Sequence, residues 1–185
     1  MTLDGRFSQV LAAACSGDEA ALTALYVDLH PRVLRYLQAH EPSAAEDLAS
    51  DVWLAVAEGL HRFSGGEDDF RAWIFTIARR RMLDLRRRAA RRRTVTCAPA
   101  ALPSGRVVGN VEHEAMEALA TDAAVARLAT LPPDQREVLL LRVVAGLGAA
   151  EVAQILGKRR GAVRVLQHRA LRRLAAELSP QEVAE

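Results

Sequence analysis

Aromatic residues are scarce in this chain, with four Phe, two Trp and two Tyr among 185 residues. Lysine is scarcer still, Lys158 being the only one, and there are two cysteines, Cys15 and Cys97. Each scarcity removes a class of protein. Two distant cysteines without histidines at ligand spacing supply neither a disulfide framework nor a zinc module, and they read as free thiols of a reducing cytoplasm. No apolar run approaches the roughly 18 residues of a membrane span. Met1 to Phe7 holds Asp4 and Arg6 and no apolar stretch, so no signal peptide is expected. The chain also lacks convincing Val/Ile/Thr alternation, which argues against a sheet. A phosphate-cradling glycine loop is absent, and His61, His113 and His168 lie on separate segments without a nucleophile or carboxylate constellation. His113 stands between Glu112 and Glu114, but neighbours on a helix diverge, so a solvated cap is expected there. Neither catalysis, a cofactor nor a metal is expected.

Half of the residues are hydrophobic, enough for a core, and the abundance of Leu, Ala, Arg and Glu favours helix. Positions 94–113 break that composition with Pro99, Pro103, Gly105, Gly109 and Asn110, the signature of a flexible linker. The expected organisation is a module over 1–93, a linker over 94–113, a second module over 114–178 and a tail over 179–185. In the first module, Leu22, Leu25, Tyr26, Leu29, Val33 and Leu37 recur at helical spacing, and Pro31 is expected to kink or split that helix. Ser43 with Glu46 predicts a capping box that opens a second helix, packed through Leu48, Val52, Leu54 or Ala55, Val56 and Leu60. Gly65-Gly66 predicts a loop. A third helix follows from about Asp69, packed by Phe70, Trp73, Ile74, Ile77 and Leu85. In the second module, helices are predicted over 114–129, 133–144, 149–156 and 160–178, with Pro132-Pro133 marking a start.

The last two of these helices form the most informative unit. Val152, Ile155 and Leu156 give the first an apolar face, and Gly157 ends it where a turn needs positive φ. Val163, Leu166, Ala170 and Leu174 form the stripe of the second. Opposite that stripe fall Val165, His168, Arg169 and Arg172, with Arg164 at the edge. A helix packed by one face and offering Arg, His and a methyl-bearing residue on the other suits a DNA major groove. A helical hairpin with a solvated arginine face has the same pattern.

The net charge of +2 hides strong patterning. Nine arginines (79, 80, 81, 86, 87, 88, 91, 92 and 93) are opposed only by Asp84 within their run. Lys158, Arg159, Arg160, Arg164, Arg169, Arg172 and Arg173 form a second basic group. Acids gather at Asp18-Glu19, Glu46-Asp47-Asp51, Glu67-Asp68-Asp69 and Glu112 to Glu117. Two separated basic fields imply a polyanion touched at two places.

The run Asp47-Leu48-Ala49-Ser50-Asp51-Val52-Trp53, then His61-Arg62-Phe63, then Asp69 through Arg79 and Asp84 through Arg88 resembles region 2 of the extracytoplasmic-function (ECF) group of bacterial sigma factors. Leu131-Pro132-Pro133-Asp134-Gln135-Arg136-Glu137-Val138, with Gly146 through Leu174, resembles region 4 of the same group. The resemblance implies an all-α chain of two small helical domains: a three-to-four-helix region 2 bundle and a region 4 helix-turn-helix, joined by a flexible linker. It implies a subunit that gives core RNA polymerase its choice of promoter.

By that resemblance, region 2 melts the −10 element through Phe63, Ser64, Gly65, Arg79, Arg80 and Arg87, with Phe63, Phe70 and Trp73 as stacking faces. Plain core packing explains the three aromatics equally, and for Trp73 it is the favoured explanation. Region 4 reads the −35 duplex through Arg164, Val165, His168 and Arg169, with Arg159 and Arg160 on phosphates. Asp47, Leu48, Ser50, Asp51 and Trp53 dock on the clamp of the largest polymerase subunit, and the flap of the second-largest subunit is the other contact. An anti-sigma factor is implied as a further partner. The implied location is the cytoplasm, with that partner holding the chain at the inner membrane and no insertion of its own.

The sequence also departs from the family pattern. Ser50 stands where Gln is usual, Arg80 for a common Asn, Ala162 for Thr, and Val165-Leu166-Gln167 for a typical Ser-Arg-Leu run. Arg80 is expected to make the −10 preference unusual, and the altered outward face leaves the −35 sequence open, with Gln167 partly exposed if the register shifts. Two rival readings stay open: a two-domain helix-turn-helix regulator that does not join polymerase, and an arginine-rich RNA-binding protein.

Overall fold

In a computed structural model of the chain, residues 6–93 and 127–178 are described. The chain divides into two compact units, Met1–Ser104 and Gly105–Glu185. The expected linker over 94–113, Cys97, His113, the tail over 179–185 and all but the end of the helix expected over 114–129 lie outside the described residues. Among the described residues every regular element is helical.

The first unit contains α1 (Phe7–Cys15), α2 (Glu19–His40), α3 (Ala45–Gly59) and α4 (Glu67–Arg93). Helix α2 is the central element. Leu25, Leu29, Val33 and Leu37 recur every four residues and are all fully buried, as is Tyr36. Asp18 caps it, its carboxylate accepting from the Ala21 N–H at 3.0 Å. The helix runs unbroken through Pro31, against the expectation of a split. Proline deletes the bond to the Val27 carbonyl, and Pro31 and Val27 are both exposed, on a side where that carbonyl is open to solvation.

The expected capping box of Ser43 and Glu46 does not form. Pro42–Ala44 winds as a 3₁₀ turn that feeds into α3, and its Ala44 cap makes no side-chain bond. The cap appears instead at α4, where the Gly66 N–H donates to Asp69 Oδ2 at 2.9 Å, three residues along. Helix α1 was not expected from the sequence. It docks through Phe7, Leu11 and Ala14, all buried.

The long α4 packs from Phe70 to Met82, with no buried residue among those described beyond. Phe70 and Ile74 are buried as predicted, joined by Phe75, Ala78 and Met82, whereas Trp73, Ile77 and Leu85 are half-buried. Tyr36 meets Phe75 edge to face at 5.5 Å, linking α2 to α4. Beyond Met82, Arg86, Arg87, Arg88, Arg91 and Arg92 are exposed. Arg86 also reaches back to α2: its Nε donates to Glu41 Oε1 at 2.5 Å and its guanidinium to the His40 carbonyl at 3.3 Å. That second bond satisfies a carbonyl left over at the C-terminal end of α2.

The second unit contains α5 (Pro133–Leu139), α6 (Ala149–Leu156) and α7 (Arg160–Leu178). The predicted helix over 133–144 is α-helical to Leu139 and widens into a π-helical turn over Leu140–Val144, closed by Ala145 N–H to Leu140 O at 3.1 Å. Val138 to Leu141 are four consecutive buried residues, so the helix is enclosed nearly all round here. Leu131, Leu139 and Ala170 form a core cluster, with Leu128 and Leu174 against it.

Candidate nucleic-acid interface

The turn between α6 and α7 is set by Gly157, at φ 61° and ψ 32°. A side chain there costs strain, which is why the helix stops at this residue. Lys158 leaves the turn to meet Asp134 at 3.0 Å, an exposed pair that steadies the loop. Helix α7 then presents two unlike faces. Val163 and Ala170 are fully buried, with Leu166 and Leu174 half-buried. Arg164, Val165, His168, Arg169 and Arg172 are exposed, Val165 at 49%. Steps of three and four place these five on one continuous surface. Arg159 and Arg160 lie exposed at the N-terminal end of the helix, where the helix dipole adds positive potential. The structure thus brings together every residue predicted for duplex reading. Gln167 is half-buried beside them and accepts from Arg142 Nε at 3.1 Å, a contact the sequence did not indicate.

In the first unit, an aromatic group lies beneath the loop Phe63–Gly66. Phe63 stacks on Trp73 at 5.2 Å with 30° between planes, and meets Phe70 edge to face at the same distance. Phe70 also touches Trp73 at 5.8 Å and Phe7 of α1 at 6.0 Å. Phe70 is fully buried, so it supports the other rings and offers no stacking face of its own. Phe63 and Trp73 are half-buried, so part of each ring stays accessible and Trp73 is not simply a core residue. Ser64 and Gly65 are exposed beside them. Trp73, Arg80 and Arg87 are spaced seven residues apart and so share one face of α4, at intervals of about 10 Å. The aromatic pair therefore leads onto a basic track. Arg80 and Arg87 are exposed and Arg79 is half-buried; Arg87 also pairs with Asp84 at 3.2 Å.

Gly59 makes this arrangement possible. A Cβ there would stand 2.8 Å from Trp73 Cζ2 and 3.2 Å from Cη2. Gly59→Ala is expected to push the Trp73 ring off Phe63 and to cost about 1–3 kcal/mol by overpacking. Tryptophan fluorescence in a Trp53→Phe background reads the displacement directly, and an unchanged spectrum would show that the ring absorbs the methyl in place.

Helix α3 shows an acidic outer strip. Asp47, Ser50 and Asp51 are exposed as predicted. Leu48 is buried at 5% exposure, as its place in the predicted packed face implies, and Trp53, expected beside the strip, is buried as well at 8%. Of the two residues left open for the packed face, Ala55 is half-buried and Leu54 is 61% exposed, in line with Asp47 and Asp51. The spacing 47–51–54–58 carried that signal, but the apolar character of Leu54 obscured it.

Behind the strip, His30 stacks on Tyr26 at 4.6 Å, and its Nδ1 is buried without a hydrogen-bond partner. Burial pushes its imidazole below the usual histidine range, with the negative charge of Glu46 acting in the opposite sense. The neutral form is thus favoured in the fold. As pH falls below about 6.5 the unfolded chain takes up the proton more readily, so stability declines with acidification. His30→Gln is expected to flatten that decline, measured as melting temperature against pH. Among the described residues no cluster of His, Cys, Asp or Glu could hold a metal ion, and Cys15 is a half-buried free thiol.

Comparison with known proteins agrees with this division. Residues 25–92 match the model for sigma-70 region 2 and residues 121–174 that for sigma-70 region 4. The chain is 41% identical over 172 residues to the ECF RNA polymerase sigma factor ShbA of Streptomyces griseus, covering 88% of this chain and 90% of ShbA. It is 37% identical over 187 residues to SigD of Mycobacterium tuberculosis, covering 96% of this chain and 87% of SigD. Among solved structures it is similar to CnrH in complex with the cytosolic domain of CnrY (TM-score 0.62, 25% identity, 91% of this chain and 94% of CnrH). A sigma factor RpoE from Bartonella quintana shares the fold (TM-score 0.63, 20% identity, 85% and 98% coverage). The chain belongs to the sigma-70 family of bacterial transcription factors, in its extracytoplasmic-function group. Its function is that of the group: it joins core RNA polymerase and directs promoter-specific initiation.

Proposed function

We propose that the two units divide promoter recognition between them, region 2 spanning 1–93 and region 4 spanning 114–178, with 94–113 as linker and 179–185 as tail. The observation that carries this is the two-faced α7, whose buried Val163 and Ala170 oppose an exposed Arg164, Val165, His168 and Arg169. Arginine suits guanine in the major groove and the Val165 methyls suit thymine, so this face reads the −35 duplex. Arg159 and Arg160 hold phosphates at the helix N-terminus.

The first unit serves melted DNA. Bases released from the duplex need a stacking surface and a cationic path for the backbone. Phe63 and Trp73 supply the first, next to Ser64 and Gly65; Arg79, Arg80 and Arg87 supply the second. Helix α3 docks on the clamp of the largest polymerase subunit through Asp47, Ser50, Asp51 and the exposed Leu54. Leu48 and Trp53 contribute by holding the helix in place. The flap of the second-largest subunit is the contact for region 4.

An anti-sigma factor controls the chain in this reading, supported by the likeness to CnrH, which was solved with the cytosolic domain of CnrY. No helix among the described residues is long and apolar enough to cross a membrane, so attachment at the inner membrane runs through that partner, the chain itself being cytoplasmic. The chemistry belongs to polymerase; this subunit selects where it begins.

Runoff transcription with purified core polymerase on sheared genomic DNA tests the reading. Discrete new start sites sharing two upstream elements are the expected result. Duplex binding without any start site, and without core binding, would favour a regulator that does not join polymerase.

A further inference from the structure

The outward face of α7 is useful only if the helix is held at one rotation about its axis. Its packing stripe does not guarantee this, because Ala170 is small and Leu166 and Leu174 are half-buried. One side chain from outside the helix grips it at the boundary between the two faces. Arg142 lies in the π-helical turn at the end of α5 and is itself half-buried. Its Nε donates to Gln167 Oε1 at 3.1 Å, and its guanidinium also donates to the carbonyl of Leu147. Leu147 is buried in the connection that leads into α6, and its own N–H returns to Leu141 O at 3.1 Å. A single guanidinium therefore bridges the π turn, the loop before α6 and the middle of α7. Its planar fork, with donors in fixed directions, defines an orientation that a lysine ammonium would not.

We propose that Arg142 and Gln167 are specificity-positioning residues, setting the rotation of α7 so that Arg164, Val165, His168 and Arg169 meet base edges in one register. Gln167 lies one residue from His168 and three from Arg164, so its anchor acts directly beside the reading positions. Its Oε1 is taken by Arg142 and faces the protein, which assigns it no base. The pair therefore affects selectivity more than overall affinity. This inference rests on the reading of α7 as the duplex-reading helix.

The test uses the full-length chain with core polymerase and a library of promoter duplexes randomised across the upstream element mapped by runoff transcription. The quantity read is the binding ratio between the best sequence and its singly substituted neighbours. Gln167→Leu and Gln167→Met both remove the acceptor, and each is expected to shrink that ratio by at least about fivefold, the scale of one base contact. Binding to unrelated duplex should change little. Gln167→Glu keeps an oxygen for the guanidinium and should restore the ratio. Arg142→Met should match Gln167→Leu, and the double variant should be no worse than either, as expected for one shared contact.

Melting curves show which variants are folded, and Gln167→Met carries the test if Gln167→Leu is not. A wild-type protein that shows no discrimination overturns the reading of α7 itself. Wild-type discrimination equalled by folded Gln167 variants, or strictly additive losses in the double variant, overturns the positioning role alone.

Discussion

Phe70→Ala should disable promoter opening while leaving duplex binding by the second unit intact. Phe70 has no exposed surface, and its ring touches Phe7, Phe63 and Trp73 at centroid distances between 5.2 and 6.0 Å. Truncating a fully buried phenylalanine removes apolar burial and leaves a cavity, at a cost of about 3–5 kcal/mol. Set against total domain stabilities of about 5–15 kcal/mol, that is a large loss. Here it falls under one feature: the ring support of Phe63 and Trp73 disappears together with the anchor of α1. Permanganate footprinting of the melted strand should show opening lost, while gel shift on upstream duplex stays within about twofold, as expected for a site on a separate unit. Opening at wild-type levels in a folded variant would mean that the aromatic pair is not what holds the released bases. Phe70→Leu, which retains most of the volume, should fall between the two.

Arg169→Ala is the corresponding experiment on the second unit. Arg169 is exposed on the face opposite Val163, four residues after Val165. In the major groove a bidentate arginine–guanine contact is worth about 1–3 kcal/mol of discrimination, so the variant should lose affinity for the best promoter and relax choice at one base pair. Selection from a randomised upstream element reads both effects together. If every sequence weakens equally, Arg169 is holding a phosphate and Arg164 becomes the first candidate for the base contact. The two substitutions lie on separate units, so their effects on overall promoter use should combine additively.

Much of this molecule was legible before any coordinates, and the exceptions have physical reasons. The α6–Gly157–α7 unit was readable because two requirements coincide there: a periodic apolar stripe, and a backbone angle that glycine tolerates without strain. The central α2 was readable from its four-residue spacing. Helix α1 was hidden because it has nine residues, no side-chain cap and little charge pattern, so its existence depends on what Phe7 packs against. Pro31 does not split the helix because Leu25, Leu29, Val33 and Leu37 hold it on its packed side and outweigh one missing hydrogen bond on its exposed side. Ser43 misled because Pro42 starts a 3₁₀ turn one residue earlier and takes the chain away from capping geometry.

On α3 the polar residues were legible, whereas some of the apolar ones were not. Asp47, Ser50 and Asp51 can be assigned outward on solvation grounds alone. Whether Trp53, Leu54 or Ala55 faces inward depends on the rotation of α3, which only the packing decides. The same holds for Phe63, Phe70 and Trp73, three similar rings of which one is entirely core. The grip of Arg142 on Gln167 was invisible for a different reason: the partners are 25 positions apart and meet only because the π turn aims one at the other.

The ion pairs described above also bear on how tightly the chain holds nucleic acid as salt is raised. Each phosphate neutralised releases counterions, and the logarithm of affinity falls against the logarithm of salt with a slope of about 0.9 per contact. A count from sequence would enter every arginine of α4 and the whole basic group of the second unit. Arg86, however, is occupied by Glu41, Arg87 by Asp84 and Lys158 by Asp134. To reach a phosphate each must first leave a carboxylate, exchanging one anion for another and contributing less than a full contact to that slope. The basic composition therefore overstates the salt sensitivity of this protein on its promoter.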